Sequence, residues 1–305
     1  MFQILLKSGS FIFLIILGYF RKCKGFFGPQ DYKILTKIVL NVTMPCAVLV
    51  NFSSYKADLS LLLVIAIGFG MNCLMLTIAY LISRKYPRRT RAVILNCLPS
   101  YNIGCFTMPF VQSFLSPASL VGTCLFDAGN ALMCNGTTFA LSQNILDGTK
   151  GLDLKRIGKT LLTSVPFMSY AILLILSLIG VTYPQALVNF VTPMANSNAF
   201  LAMFMVGMML DFNIEKSLLK QIFRILIIRF SAAVVASAAF FFLLPLPLPI
   251  RQALSVTVFA PIGMVSTALS ATAGGDPAVA AGANSISILI CIPSVLIMLA
   301  ILGVL

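Results

Sequence analysis

The sequence contains no histidine and no tryptophan, and only 8 of its 305 residues are acidic. Without histidine there is no imidazole base, no histidine metal ligand, no Ser-His-Asp triad and no zinc-protease motif. Asp127 is the one acid well inside an apolar stretch, so a pair of catalytic carboxylates is missing too. The eight cysteines are Cys23, Cys46, Cys73, Cys97, Cys105, Cys124, Cys134 and Cys291, and none forms a close CxxC pair. Seven lie in apolar stretches and read as small buried side chains without a metal role. Charged residues make up 10% of the chain, against about 25% in a soluble domain. A soluble globular fold is excluded, and the expectation is a protein that is not an enzyme and needs no cofactor or metal.

Apolar residues are 59% of the chain, and the mean hydropathy is +1.02. A transmembrane helix needs roughly 20 mostly apolar residues. Ten candidate spans meet this description: Ser8–Phe20, Ile34–Asn51, Leu59–Ile82, Ala92–Phe114, Ser119–Leu141, Thr160–Ile179, Gln185–Leu210, Leu218–Leu244, Ala253–Ala273 and Ala278–Leu302. Turns are expected after Tyr183, at Pro245, Pro247 and Pro249, and at Gly274-Gly275-Asp276-Pro277. The first span has no small-residue cleavage pattern, and Arg21, Lys22 and Lys24 come after it; it reads as an uncleaved helix with its N-terminus outside.

The net charge of +13 sorts onto one side of this scheme. With ten spans, the loops after spans one, three, five and seven, together with the span ends beside them, carry 17 of the 21 basic residues, among them Arg21, Arg88, Lys150 and Lys216. The other side carries Lys7, Lys56 and Arg251, and Arg229 lies inside span eight. Such asymmetry marks the cytoplasmic face and leaves both termini extracytoplasmic. Nucleic-acid binding is not needed to explain the charge.

Ten spans divide into two fives, and an odd number inverts the second five. Pro45 closes Asn-Val-Thr-Met-Pro in span two, and Pro193 closes Asn-Phe-Val-Thr-Pro in span seven. Spans five and ten carry Gly129-Asn130 and Gly282-Ala283-Asn284. The fold expected is an all-α membrane protein of two inverted five-helix repeats, residues 1–148 and 149–305, with crossing broken helices four and nine.

Span four contains Pro99, Asn102, Gly104 and Pro109, and span nine contains Pro261-Ile262-Gly263. Proline removes a backbone donor and clashes one turn earlier, and glycine tolerates non-helical backbone. Pro45, Pro99, Pro109 and Pro193 are therefore read as helix breakers. Unwound backbone inside a membrane is tolerated only when buried in protein or lining a cavity. In the inverted arrangement the second halves of spans four and nine present their N-termini, with free N–H groups and positive dipole ends, to one central point. That point suits an anion. Asn102 adds an amide donor, and no lysine or arginine lies in either break. Asn102, Gly104, Pro261, Ile262 and Gly263 are the candidate binding residues.

Asp127, with Asn130 and Asn135 shortly after it, is the candidate coupling site for a proton or sodium ion; Asn130 stands beside it and Asn72 of span three is a possible partner. Arg229 is expected to snorkel to the cytoplasmic interface. Asn196, Ser197 and Asn198 either face a cavity or bond helix to helix. The glycosylation patterns at Asn41 and Asn135 fall inside spans and are set aside.

On these residues the chain resembles the auxin efflux carrier family of permeases, which includes plant auxin carriers and bacterial malate and malonate permease-like proteins. The carrying features are Asn41 to Pro45 in span two, Asn102, Gly104 and Pro109 in span four, Pro261 in span nine and Pro293 in span ten. Thr107 stands where family members often have glycine. The loop between spans five and six is short, as in bacterial members, which implies a bacterial inner membrane. The resemblance implies a crossover fold with a scaffold domain of spans 1, 2, 6 and 7, a transport domain of spans 3–5 and 8–10, elevator-type alternating access and a homodimer. It also makes Asn102 the ligand of a substrate carboxylate and Pro261 the second crossover proline.

The function expected is secondary transport of a small organic anion, a carboxylate, across a lipid bilayer. Two alternatives stand beside it: a sodium-coupled bile-acid-type symporter, which shares the crossover plan, and a membrane sensor that binds a ligand without moving it.

Overall fold

A computed structural model describes residues 2–56, 58–134, 136–148 and 153–303, so Asn135, Lys150 and the expected repeat boundary at 148/149 lie at or outside the edge of the described residues. Among these residues every regular element is helical. The cause is in the composition: apolar runs in lipid have no water to satisfy backbone groups, and a helix satisfies them within the segment.

The first helical stretch is α1 (Phe2–Cys23). The second is one rod built from α2 (Tyr32–Ile38), a widened π turn (Val39–Thr43) and α3 (Met44–Ser53). Asp58 accepts from the Ser60 N–H at 2.7 Å and caps the turn that leads into α4 (Leu62–Ser83). The fourth stretch is interrupted: α5 (Arg88–Cys97), an irregular segment, a π turn (Ile103–Thr107) and α6 (Met108–Phe114). The fifth comprises α7 (Pro117–Cys134) and α8 (Thr137–Asp147), and the sixth α9 (Leu154–Leu162) and α10 (Val165–Leu178). Both stretches are divided where the sequence pattern suggests single spans. Gly136 has φ +127°, and Pro166 removes a donor from the first turn of α10. Next come α11 (Gln185–Met209) and α12 (Leu219–Leu243). The ninth stretch is broken into α13 (Leu248–Thr257) and α14 (Val265–Thr272), and α15 (Pro277–Ile301) completes the described helices.

Three proline expectations are corrected. Pro193 lies inside the continuous α11 and does not break it. Pro45 and Pro109 each sit in the first turn of an α-helix that continues from a π turn. The residue four before each proline, Asn41 or Cys105, lies within that π turn, where widening relieves the clash a proline ring makes with the carbonyl four residues back. Of the four, only Pro99 stands in a true break.

Among the described residues four continuous helical runs are long and apolar enough to cross a membrane: Tyr32–Ser53, Leu59–Ser83, Lys216–Leu243 and Pro277–Ile301. Outward faces are strongly apolar, with Phe13 61%, Phe190 72%, Val235 71% and Phe242 75% exposed. So much exposed apolar surface is stable only against lipid or another protein. Inside, α1 packs on α11 and α4 on α7 through glycines. A Cβ at Gly18 would collide with the Phe204 carbonyl, at Gly207 with that of Ile15, at Gly68 with that of Phe126, and at Gly129 with that of Ile65. Small residues at these crossings let the backbones touch.

Loop contacts sort the helix ends onto two faces. On the basic face Lys22 donates to the Leu210 carbonyl, Arg88 pairs with Asp147 at 2.6 Å and donates to the Ala273 carbonyl at 3.2 Å, and Arg89 pairs with Asp276 at 2.9 Å. On the other face Lys7 donates to the Ser113 carbonyl, Ser119 to that of Pro249 at 2.8 Å, and Ser177 to that of Tyr55 at 3.4 Å.

Candidate functional site

The site forms where the two interrupted helices meet. After Cys97 the chain leaves helix for Pro99 to Asn102, and after Thr257 for Val258 to Met264. A helix that stops inside a membrane orphans its last carbonyls, and the helix that resumes beyond the gap orphans its first N–H groups. Here the two breaks satisfy one another: the Asn102 N–H donates to the Pro261 carbonyl at 2.9 Å, and the Gly263 N–H to the Ser100 carbonyl at 3.4 Å. A Cβ on Gly263 would come within 2.6 Å of the Ser100 hydroxyl, so any side chain there would have to push that hydroxyl aside.

Each break is braced by an asparagine from the next helical stretch along the chain. Asn130 donates to the Tyr101 carbonyl at 3.4 Å, and Asn284 to the Ile262 carbonyl. Ser287 adds a second brace, accepting the Ile262 N–H at 2.9 Å. The free N–H groups at this centre are therefore fewer than the helix ends alone would offer, because those of Asn102, Ile262 and Gly263 are used between and beside the breaks.

Donors remain. The Asn102 amide nitrogen and the Ser100 and Thr107 hydroxyls are buried with no hydrogen-bond partner among the described residues. Asn102 itself is 8% exposed. A buried polar group without a partner costs about 1–3 kcal/mol, and a native site that keeps one is poised for a ligand or water.

Asp127 lies against the same break. A Cβ at Gly104 would sit 3.6 Å from its carboxylate and 3.3 Å from the Met44 sulfur, so the absent side chain leaves the space between the break, the carboxyl and the π turn of the second rod. Tyr170 of α10 donates to Asp127 at 3.0 Å, and Asn130 at 2.9 Å. Asn72 makes no direct bond to Asp127: it is buried, donates to the Gly68 carbonyl of its own helix at 2.9 Å, and reaches the group only through Cys134, whose thiol lies 4.0 Å from the Asn72 side-chain oxygen and donates to Asn130 at 3.1 Å. Asn198 joins helices, donating to Gln112 at 3.0 Å and accepting from Thr43 at 2.9 Å, while Asn196 is exposed. Asn41 is exposed as well.

Arg229 overturns the snorkelling expectation. It is 1% exposed and reaches inward to the breaks. One guanidinium nitrogen donates to the Leu98 carbonyl at 2.6 Å; the other donates to those of Ala260 at 2.8 Å and Pro261 at 3.4 Å. Its carbon lies 4.1 Å from the centroid of the Tyr101 ring. The reason is electrostatic. The first halves of both broken helices end here, and their carbonyl ends carry partial negative charge that a cation relieves. The sequence pattern draws attention only to the N-terminal ends.

On the basic face a cavity of about 300 Å³, lined in part by Lys22, Tyr32, Asp211, Met264, Thr267 and Asn284, reaches the second break at Met264 and its brace at Asn284. Among the described residues no group of three or more cysteine, aspartate or glutamate side chains is placed to hold a metal.

Apolar outward faces around an internal, donor-rich junction of interrupted helices define a multi-pass integral membrane protein. Residues 10–145 match the family described as "Membrane transport protein". The chain is also similar to an "Uncharacterized transporter" of Methanothermobacter thermautotrophicus, 29% identical over 177 residues, which cover 56% of this chain and 56% of that relative. The match thus spans little more than half the length of the curated relative.

Proposed function

We propose that the protein is a secondary carrier of a small organic anion, a carboxylate, held where the two breaks meet. One observation carries this reading: the breaks are hydrogen-bonded to each other from Asn102 to Pro261 at 2.9 Å, and beside that bond the buried Asn102 amide has a donor left over. An amide donor at a helix N-terminal junction fits a carboxylate. Asn102, Gly104, Pro261, Ile262 and Gly263 form the binding centre in this proposal, and Asp127 with Asn130 forms the coupling site for a proton or sodium ion.

The proposal includes ten spans in two inverted repeats, residues 1–148 and 149–305. The sorting of helix ends onto two faces, the two asparagine braces and the asymmetry of basic residues support it. Spans 1, 2, 6 and 7 form the scaffold; spans 3–5 and 8–10 carry the ligand in an elevator movement, and the protein works as a homodimer in a bacterial inner membrane with both termini outside. The cavity on the basic face is then the cytoplasmic route to the site.

The test is a thermal-shift screen of mono- and dicarboxylates on the purified protein, at several pH values and with and without sodium, because a ligand of the native state raises the melting temperature by mass action. Ligands found this way enter counterflow assays in proteoliposomes. Stabilisation without counterflow would make the protein a binder that does not transport, and no stabilisation by any carboxylate would overturn the anion reading.

A further inference from the structure

Arg229 is a buried cation in the middle of an apolar helix, and burying a charge is costly unless the charge is hydrogen-bonded and compensated. The structure compensates it with carbonyls, not with an acid. The groups facing the guanidinium are Tyr101, Cys97, Cys134 and Cys291. The ion pairs among the described residues, Arg88–Asp147 and Arg89–Asp276, lie elsewhere. The three accepting carbonyls come from both breaks, Leu98 on one side and Ala260 and Pro261 on the other. Pro261 O also accepts the Asn102 N–H, so arginine and candidate ligand residue share one carbonyl. The Arg229 Nε is buried without an acceptor among the described residues.

A planar guanidinium offers a fork of donors in fixed directions, which is what reaching three carbonyls on two chain segments demands; a lysine ammonium is a point charge on a flexible stem. We propose that Arg229 is the positioning residue of this carrier: it locks the two breaks in register, and its charge, unpaired with any acid, makes an anion the ligand that the junction accepts. The second half of this inference rests on the carrier reading above, and the first half does not.

The test compares Arg229→Lys and Arg229→Gln with the wild-type protein in two measurements. The first is backbone hydrogen exchange in peptides covering residues 98–104 and 259–265. The Gln variant is expected to exchange roughly tenfold faster in both peptides together, as lost charged hydrogen bonds would require, and the Lys variant to fall between. Unchanged exchange, or a change in one peptide alone, overturns the lock. Should the Gln variant fail to fold, the Lys variant decides, since wild-type exchange at both breaks would equally overturn it. The second measurement is thermal stabilisation by malonate and indole-3-acetate against their uncharged amides, malonamide and indole-3-acetamide. The Lys variant is expected to keep the preference for the acid with weaker binding, and the Gln variant to lose it. A Gln variant with the wild-type preference overturns the charge role. A wild-type protein indifferent to both acids overturns the charge role too and counts against the carboxylate reading, while the exchange result still decides the lock.

Discussion

Asn102 and Pro261 lie 159 positions apart and share a backbone hydrogen bond of 2.9 Å. Neither residue is in a helix at that point, and each belongs to a stretch that is helical on both sides of it. Two unwound segments that would each be costly in a membrane are tolerable because they satisfy each other. The pairing also fixes where the Asn102 side chain starts, and so where its unpartnered amide can reach.

The first prediction concerns that amide. Asn102→Ala removes a buried donor that has no partner among the described residues, so the fold loses little and the ligand loses a charge-assisted hydrogen bond. The expected cost is on the order of 2 kcal/mol, or roughly thirtyfold in affinity, with an unchanged melting temperature in the absence of ligand. Isothermal calorimetry with a carboxylate found in the stability screen reads the first quantity and scanning fluorimetry the second. Wild-type affinity in the variant would remove Asn102 from the binding centre.

The second prediction concerns coupling. Asp127 accepts from Tyr170 at 3.0 Å and Asn130 at 2.9 Å, and the other titratable groups about it are Cys105, Cys124 and Cys134. A carboxylate can accept both bonds, and gaining a proton turns one of its oxygens into a donor, so the carboxyl can change state while the cluster stays in place. Asp127→Asn fixes one arrangement. Uptake in proteoliposomes driven by an imposed proton or sodium gradient is expected to lose its dependence on that gradient in the variant, while counterflow, which needs no net driving force, persists. A gradient response equal to wild type would make Asp127 structural. Tyr170→Phe is expected to weaken the same response and to spare it in part, because Asn130 still donates.

How much of the site is legible in the sequence depends on what each residue announces. The breaks are readable because Pro99 and Pro261 cannot donate a backbone hydrogen bond wherever they stand. Asp127 stands out as the lone acid in an apolar run. Asn284 is visible only as an echo of Asn130; that both brace a break comes from tertiary packing, which spacing along one chain does not encode. Arg229 is the basic residue farthest inside a span, a signal strong enough to be traced inward. The competing idea, a long side chain reaching back to the interface, prevails at the level of sequence because nothing there says which way a helix face points. Pro193 misleads for the opposite reason, because a proline in a long helix can be absorbed by its surroundings.

The third prediction is about packing. At Gly207 a Cβ would fall on the Ile15 carbonyl of the neighbouring helix, and that contact is backbone, which cannot swing aside. Gly207→Ala is expected to push α11 from α1 and to lower stability by about 1–3 kcal/mol, as overpacking commonly does. Gly70→Ala is the control: a Cβ there meets nothing within 4 Å, and alanine favours helix, so stability should hold or rise slightly. Melting temperatures of the two variants in one detergent decide the matter. Equal effects would mean that the close approach of α1 and α11 is not what these glycines serve.

The last prediction tests orientation with the native protein. Cys23 is the one exposed thiol among eight free cysteines; the others are half-buried or buried in helices. It ends α1 beside Arg21 and Lys22, on the face that also carries Arg88, Arg89 and the mouth of the 300 Å³ cavity. Reactivity requires access, so a membrane-impermeant maleimide should modify Cys23 well ahead of the rest. In the orientation proposed above, the excess of lysine and arginine on this face puts it in the cytoplasm. Inverted vesicles should therefore label at Cys23 and right-side-out vesicles should not, as peptide mapping by mass spectrometry would read. Labelling from the outside would reverse the whole protein, turn the cavity into an external route and place both termini within the cell. Equal labelling from both sides would mean dual insertion, and the basic face would then no longer fix a direction for the ligand's path.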